Sequence, residues 1–398
     1  MSVEERRSFR RIVWPLAIAE TIVWASMFYS FPALLVDLER DLGWSKTQLS
    51  GAFTSALLIS ACLAPVAGRL IDRGFGRVVF AGSALLGALL LALLSQVEHL
   101  WQFYCIWIAM GFAMAGALYE ACFVLLTKVM GGRARQAIIL VTLVAGFAGT
   151  LAFPTVHVLT ALYDWRGTVL TLSVAVIAVA VPLILFASQN LEGHDNAPSP
   201  AASQKPTEAM HVLQSVVFWL LAISFATIAL NHGVLLTHIL PILDERGADK
   251  DAAVLAASMI GPMQVAGRLA MMAAEKHVSS LSISMISFVA MGIAGVSLLN
   301  SSALPSLLVS FVVFQGAGYG VTSIIRPIVT AELLGRQNFG LISGFLAIPF
   351  IGAGAVAPIV AAIVWEFGSY DTVILLAIAA SGVGFLAMFC AARMARTA

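Results

Sequence analysis

Charged residues are scarce in this 398-residue chain. Asp, Glu, Lys and Arg together make up 11% of it, whereas about 25% is usual for a soluble domain. Residues with apolar side chains make up 60%, and the mean hydropathy is +0.95. Such a chain cannot cover a water-facing surface of normal polarity, so the composition indicates a membrane protein. The net charge of +1 gives no indication of a nucleic-acid partner, and none is expected.

Cysteine is scarce as well. The four cysteines lie inside apolar runs, which favours small buried hydrophobic residues over a disulfide framework or a metal site. They are Cys62, Cys105, Cys122 and Cys390. The chain also lacks HExxH and GxSxG motifs and the phosphate-binding loop of ATP-driven pumps. Neither an enzyme nor such a pump is therefore predicted, and no cofactor or metal is expected.

Long apolar runs are abundant instead. A hydrocarbon core of about 30 Å needs roughly 20 apolar residues per helix, and twelve runs of that size occur. We predict an all-α membrane protein with twelve transmembrane helices. The predicted spans lie near residues 12–37, 46–68, 77–97, 100–127, 136–160, 167–188, 213–241, 252–274, 279–299, 304–329, 339–365 and 370–392.

A polar segment divides these runs into two sets of six. Residues 189–212 contain three prolines and no hydrophobic periodicity, which is typical of a flexible linker. We therefore predict an N-terminal six-helix bundle over residues 1–188, a cytoplasmic linker over 189–212 and a C-terminal six-helix bundle over 213–398.

The two halves carry matching residues in the same order. Residues 66–70 read VAGRL and recur as residues 265–269, at an offset of 199. Matches at an offset of 204 pair Gly116 with Gly320, Gly131 with Gly335, Pro154 with Pro358, and Thr168 with Thr372. Chance agreement among small residues is the alternative, but the shared order and the nearly constant offset favour an internal duplication, as parallel-repeat transporters have.

The basic residues favour two cytoplasmic termini. With both ends inside, all but five of the 22 Lys and Arg residues lie at or near the cytoplasmic face, as the positive-inside rule requires. The exceptions are Arg40, Lys46, Arg166, Arg246 and Lys250. We therefore expect a multi-pass protein of a bacterial-type inner membrane with an even number of spans.

The junction of the second and third spans carries a motif. Residues 68–77 read GRLIDRGFGR, which resembles the G-x-x-x-D-R-x-G-R loop of the major facilitator superfamily with one extra residue before the last glycine. The resemblance implies two pseudo-symmetric six-helix bundles that work by alternating access, and we expect a monomer. It also implies a gating motif made of Gly68, Asp72, Arg73, Gly76 and Arg77. In it, Gly68 would let two helices approach closely and Asp72 would act as a conformational latch.

Within that superfamily, residues 29–45 followed by this loop are similar to bacterial relatives of the monocarboxylate and oxalate carriers. Those relatives place a carboxylate-binding arginine one turn before the motif glycine of the eighth span. This chain has Met263 there, so their binding site is not carried over.

Few charged residues lie within the predicted spans. A charge at the centre of a span costs roughly 2.5–3.5 kcal/mol, so each one is a functional candidate. The charged candidates are Glu20, Glu120, Arg268 and Arg326, and their polar company includes Asn231 and His232. In the resembled fold the first, fourth, seventh and tenth spans line a central cavity, and all of these except Arg268 lie on such spans. For Arg268 we predict packing or gating. Tyr119 and Tyr319 are the aromatic residues expected beside the others.

Two acids and one arginine on the cavity spans suggest a coupling mechanism. Desolvation favours the neutral form of a carboxyl group, whereas pairing with an arginine favours the charged form. We predict that Glu120 or Glu20 takes up a proton during transport and that Arg326 binds an anionic group of the substrate. A permanent structural pair between Glu120 and Arg326 is the alternative.

The sequence therefore predicts a secondary active transporter for a small organic anion or zwitterion, with the proton as the coupling ion and the lipid bilayer as its surroundings. The alternative is a multidrug-type efflux carrier for amphipathic or cationic compounds, which the two acids would attract. An arginine in the cavity favours anions and repels cations. The predicted substrate-binding residues are Arg326, Glu120, Tyr119, Asn231, His232, Tyr319 and Glu20.

Overall fold

The computed structural model describes residues 3–130, 133–189, 214–335 and 339–397. The chain divides into two compact units, Met1–Ser199 and Pro200–Ala398. The division falls within the segment predicted as the linker, which lies outside the described residues except for Gln189. The described residues form helices joined by short loops, and no strand occurs among them.

The first unit contains nine described helices. They are α1 (Val3–Trp24), α2 (Ser30–Leu42), α3 (Lys46–Leu70), α4 (Gly76–Leu94), α5 (Leu100–Ala117), α6 (Tyr119–Met130), α7 (Ala134–Ala145), α8 (Ala148–Ala175) and α9 (Val181–Gln189). Three π-helical turns join successive helices of this unit without a loop: Ala25–Tyr29, Ile71–Phe75 and Val176–Ala180. A π turn holds about one residue more than an α turn. The sequence positions that share one face of the helix are therefore displaced by one residue after the turn.

The second unit contains seven described helices. They are α10 (Val216–Thr237), α11 (Ile239–Glu245), α12 (Lys250–Ala274), α13 (Ser280–Leu299), α14 (Leu307–Leu334), α15 (Phe339–Phe367) and α16 (Tyr370–Thr397). Its core lies where α10, α13, α14, α15 and α16 pack together, and Phe225, Phe288 and Met388 are among the buried side chains there.

The described helices account for twelve membrane spans. Eleven continuous stretches of described residues are long and apolar enough to cross a membrane. One of them, Gln136–Ser188, has 53 residues, and at 1.5 Å per residue its length is about 80 Å, more than twice the hydrocarbon core. Its backbone turns at Asp164, where φ is 61° and ψ is −176°. Division at that residue gives the predicted fifth and sixth spans, so the chain is a multi-pass membrane protein with the predicted twelve.

The cysteines are less buried than we predicted. Cys122 is buried, but Cys62, Cys105 and Cys390 are exposed on the faces of their helices. The prediction was wrong for these three because an apolar run in a membrane protein is as compatible with contact to lipid as with contact to other helices.

Glycines set close helix contacts in both units. In the first, a Cβ atom at Gly111 of α5 would lie 2.6 Å from the carbonyl oxygen of Ala56 in α3. In the second, a Cβ atom at Gly316 of α14 would lie 2.7 Å from the carbonyl oxygen of Ile260 in α12. These pairs correspond at offsets of 204 and 205. The same crossing therefore recurs at equivalent places, as an internal duplication requires.

The repeat offset is the same along the second span of each unit. Helices α3 (Lys46–Leu70) and α12 (Lys250–Ala274) have 25 residues each and correspond at an offset of 204 at both ends. The next helices begin at Gly76 and Ser280, again at an offset of 204. The repeated VAGRL segments, which match at an offset of 199, therefore lie five residues apart along two otherwise equivalent helices.

Candidate functional site

One face of α14 in the second unit is lined with polar side chains. Gln315, Tyr319, Thr322 and Arg326 follow one another at intervals of four, three and four residues. These intervals place them in one stripe along the helix. Gln315 is 1% exposed and Thr322 is 5% exposed. Tyr319 and Arg326 are half-buried, so the stripe is a largely buried polar surface.

A chain of hydrogen bonds connects this stripe to two neighbouring helices. On α10, the side-chain amide of Asn231 donates through Nδ2 to the carbonyl oxygen of Ala377, at 2.8 Å, and to Oγ of Ser381, at 3.0 Å. Nε2 of Gln315 donates to Oδ1 of Asn231, also at 3.0 Å. Both the nitrogen and the oxygen of the amide of Asn231, a predicted binding residue, therefore form hydrogen bonds within the protein. The bond from Gln315 fixes the position of the Gln315 amide.

Three buried polar atoms near this network have no hydrogen-bond partner among the described residues. They are Oε1 of Gln315, Nδ1 of His232 and Oγ1 of Thr322. A buried polar atom left without a partner costs about 1–3 kcal/mol. Such atoms in a native protein call for an explanation, and a bound ligand or ordered water supplies one. They mark the second unit's candidate binding site.

The aromatic ring of Tyr319 stacks on the predicted site residue His232. The ring centres are 3.5 Å apart and the planes are inclined by 8°. This stack joins α10 to α14 one helical turn beyond Gln315. The structure therefore brings together Asn231, His232 and Tyr319, three of the predicted binding residues.

Two arginines make this site electropositive. Nε of Arg268 donates to the carbonyl oxygen of Gly320, at 2.9 Å, which fits the packing role predicted for it. The guanidinium carbon of Arg326 lies 4.3 Å from the ring centre of Phe350. Arg268 thus reaches the backbone next to Tyr319, and Arg326 lies seven residues from Tyr319 on the same face of α14. The two guanidinium groups give this face a positive charge.

The first unit holds a buried acid. Glu20 of α1 is 0% exposed, and its carboxyl group lies against the thiol of Cys122 in α6. Cys122 itself is buried and corresponds to Arg326 at the offset of 204. The side chain of Glu120 lies outside the described part of the chain, although its backbone belongs to α6. The predicted meeting of Arg326 with either acid stays a prediction.

An aromatic cluster surrounds the region one turn beyond Glu20. Its members are Trp24, Phe28, Tyr29, Tyr119 and Phe123. The rings of Trp24 and the predicted Tyr119 lie 4.7 Å apart, and Tyr119 stacks on Phe123 at 5.2 Å. The π turn Ala25–Tyr29 carries two of these rings, so it helps to place the cluster.

The predicted gating motif differs in detail from expectation. A Cβ atom at Gly68 would meet only Cγ2 of Val124, at 3.8 Å, which is ordinary contact. The prediction of a close helix approach at Gly68 was wrong. The constrained glycines are Gly74, whose φ of 97° disfavours any side chain, and Gly76, where a Cβ atom would lie 2.9 Å from Cδ1 of Leu125.

The charged residues of the motif are described unevenly. Arg73 is exposed and Arg77 is half-buried, whereas the side chain of Asp72 lies outside the described part of the chain. The latch role of Asp72 therefore stays a prediction.

Comparison with known protein families identifies the family that has this architecture. The family model of the Major Facilitator Superfamily matches residues 16–282, which is more than half of the chain. The chain belongs to the major facilitator superfamily. Its fold and its transporter character are thereby confirmed, and it is not an enzyme. No curated protein sequence matches the chain significantly.

Solved structures show the same superfamily fold. A mutant of the nucleoside transporter NupG matches with a TM-score of 0.78 and 13% identity, over 97% of this chain and 99% of that one. Two inward-facing structures of a bacterial homologue of the human lysosomal transporter Spinster match with TM-scores of 0.67 (occupied) and 0.70 (unoccupied). Both are 13% identical and cover 96% of this chain, which covers 96% and 97% of theirs. Identities this low show the fold alone.

Sequence reasoning missed several residues of the candidate site. Gln315, Thr322 and Ser381 were not singled out. The spacing of Gln315, Thr322 and Arg326 on one helix would have been a sufficient signal, because it repeats at the helical period.

Proposed function

We propose that the protein is a proton-coupled secondary transporter for a small organic anion or zwitterion. The observation that carries this proposal is the polar face of α14, where Arg326 lies one turn from the buried hydroxyl group of Thr322 and Arg268 donates to the carbonyl oxygen of Gly320. An arginine in a low-dielectric environment binds a carboxylate or phosphate through paired hydrogen bonds. Arg326 is the proposed anion-binding residue and Arg268 adds to the positive potential.

Glu20 is the proposed proton carrier, with Glu120 as the second candidate. Its carboxyl group is fully buried within the first membrane span and lies against the thiol of Cys122. An ionisable residue in such a place is expensive to keep charged and is typical of proton relays. Alternate protonation of this acid would couple proton movement to the substrate.

The arrangement in the membrane is also a proposal. The distribution of basic residues supports two cytoplasmic termini, a cytoplasmic linker and a bacterial-type inner membrane. We propose that the monomer is the transporting unit.

Competition by charged compounds tests the proposed substrate class. In proteoliposomes that hold the purified protein, a panel of organic anions should inhibit uptake of a radiolabelled monocarboxylate, and matched organic cations should not. The sign of the potential at α14 is the reason for this result. Inhibition by the cations alone would contradict the proposal and favour the alternative.

That alternative is efflux of amphipathic or cationic compounds. The observation in its favour is the aromatic cluster of the first unit, since aromatic rings bind cations over their faces. Trp24→Ala distinguishes the two functions. It should impair transport of a cationic dye if the alternative holds, and should leave the anion competition unchanged if the proposed function holds.

Glu20→Gln should uncouple transport from the proton gradient. The amide matches the protonated carboxyl group in shape but cannot lose a proton. We expect substrate exchange to continue, while the stimulation of uptake by an imposed pH gradient falls at least tenfold. Glu39→Gln is the matched control, because Glu39 pairs with Lys46 at the helix end and should not affect coupling. Full gradient dependence in Glu20→Gln, together with its loss in Glu120→Gln, would assign the role to Glu120.

A further inference from the structure

The polarity of the hydrogen-bond chain at α14 is fixed by one backbone group. The carbonyl oxygen of Ala377 can only accept, so the amide of Asn231 must turn its NH₂ group towards it. Oδ1 of Asn231 is then an acceptor and must face the NH₂ group of Gln315. The orientation of the Gln315 amide follows, and its Oε1 atom is presented as an acceptor.

This acceptor selects the kind of group that it can bind. Oε1 of Gln315 is buried and has no partner among the described residues. An N–H or O–H group of a ligand would satisfy it, whereas a carboxylate would place two acceptors in contact. The anionic end of a substrate therefore does not bind here and belongs at Arg326.

The helix itself sets the distance between these two ends. Gln315 and Arg326 are eleven residues apart in α14, which separates their Cα atoms by about 16 Å. Side chains on a helix lean towards its N-terminus, and the longer side chain of Arg326 reaches further in that direction than the side chain of Gln315. The donor and the anionic group of one ligand that reaches both would be on the order of 10 Å apart. The stacked rings of His232 and Tyr319 lie between them along the helix and suit a flat or apolar middle.

We infer that the substrate is an elongated organic anion that carries a hydrogen-bond donor at its far end, and that this donor binds Oε1 of Gln315. The inference rests on the proposed function, because Arg326 must bind the anionic end. It narrows the substrate class from any small anion to a molecule with two unlike polar ends and a planar or apolar middle.

Three matched compounds test the inference. Para-aminophenylbutanoate has the donor and the anion at about the required separation, phenylbutanoate lacks the donor, and para-carboxyphenylbutanoate has a second anion in its place. We expect the amino compound to bind the purified protein in nanodiscs about tenfold more tightly than phenylbutanoate, because a buried acceptor gains its partner. The dicarboxylate should bind no more tightly than phenylbutanoate. Calorimetry, or the ligand-dependent rise in melting temperature, gives the affinities.

Variants test the donor-binding site at Gln315 and the anion-binding site at Arg326 separately. Gln315→Met should remove the tenfold preference for the amino compound. Gln264 is another buried glutamine of the same unit, and Gln264→Met should keep the preference. Arg326→Gln should weaken the binding of all three compounds.

Equal affinities for the amino compound and phenylbutanoate, both lost in Arg326→Gln, would overturn the inference and leave the proposed function standing. Equal affinities would mean that water, and not the ligand, donates a hydrogen bond to Oε1 of Gln315. Binding of none of the three, or binding that Arg326→Gln does not weaken, would count against the proposed function and the inference together. A preference that persists in Gln315→Met would place the donor site elsewhere and overturn the inference alone.

Discussion

Arg326→Gln should lose nearly all transport of the anionic substrate. The substitution leaves a shorter polar side chain and removes the positive charge from a half-buried position in the middle of the second unit. Removal of one partner of a buried charge pair costs about 2–5 kcal/mol, so kcat/KM should fall roughly 30-fold or more. Uptake into proteoliposomes, measured over a range of substrate concentrations, gives this ratio.

Two further variants make this result specific. Arg326→Lys should recover part of the uptake, because it keeps the charge but not the paired hydrogen-bond geometry. Arg393→Gln is the matched control: its guanidinium carbon also lies over a phenylalanine ring, 5.2 Å from the centre of Phe389, and we expect unchanged uptake. Uptake by Arg326→Gln with an unchanged KM would show that the anion binds elsewhere.

Gly267→Ala should destabilise the folded protein, whereas Gly68→Ala should not. The two glycines occupy the same place in the repeated VAGRL segment, yet a Cβ atom at Gly267 would lie 2.5 Å from the carbonyl oxygen of Ala317 and one at Gly68 only 3.8 Å from a side-chain methyl group of Val124. Overpacking against backbone costs about 1–3 kcal/mol or more, against a gain of up to about 1 kcal/mol for replacing a helical glycine.

The difference is measurable as thermal stability in detergent. Gly267→Ala should melt several degrees below the wild type, on the scale of about 2–4 °C per kcal/mol for a domain of this size. Gly68→Ala should melt at the wild-type temperature or slightly above it. Equal behaviour of the two variants would mean that α12 and α14 can separate without cost at this crossing.

The same pair of glycines shows how far the sequence alone could lead. The spans were predictable because the thickness of the bilayer fixes the length of each apolar run, and the duplication was predictable because its anchors keep their order. The identical VAGRL segments could not reveal that one glycine faces a flexible valine and the other a rigid backbone. That difference depends on the neighbouring helix.

The candidate site was predictable in part for a similar reason. Asn231, His232 and Tyr319 stood out because polar residues are rare in apolar spans, and the structure places them together. The role of Gln315 was not predictable, because it depends on which way the amide of Asn231 turns, and the carbonyl group of Ala377 decides that from more than a hundred residues away. A sequence shows which polar side chains are costly to place in a membrane span. It does not show in which direction a chain of hydrogen bonds runs.

The π turn at Ala25–Tyr29 has an evolutionary consequence for the first span. A regular membrane helix tolerates no change of length, because one residue more or less turns every later side chain to a different side. A wide turn already contains the surplus residue. Loss of one residue there would leave an ordinary α turn, and Glu20 would keep its direction relative to α2. The first span can therefore become one residue shorter in one genetic step without turning this acid to another face of the helix.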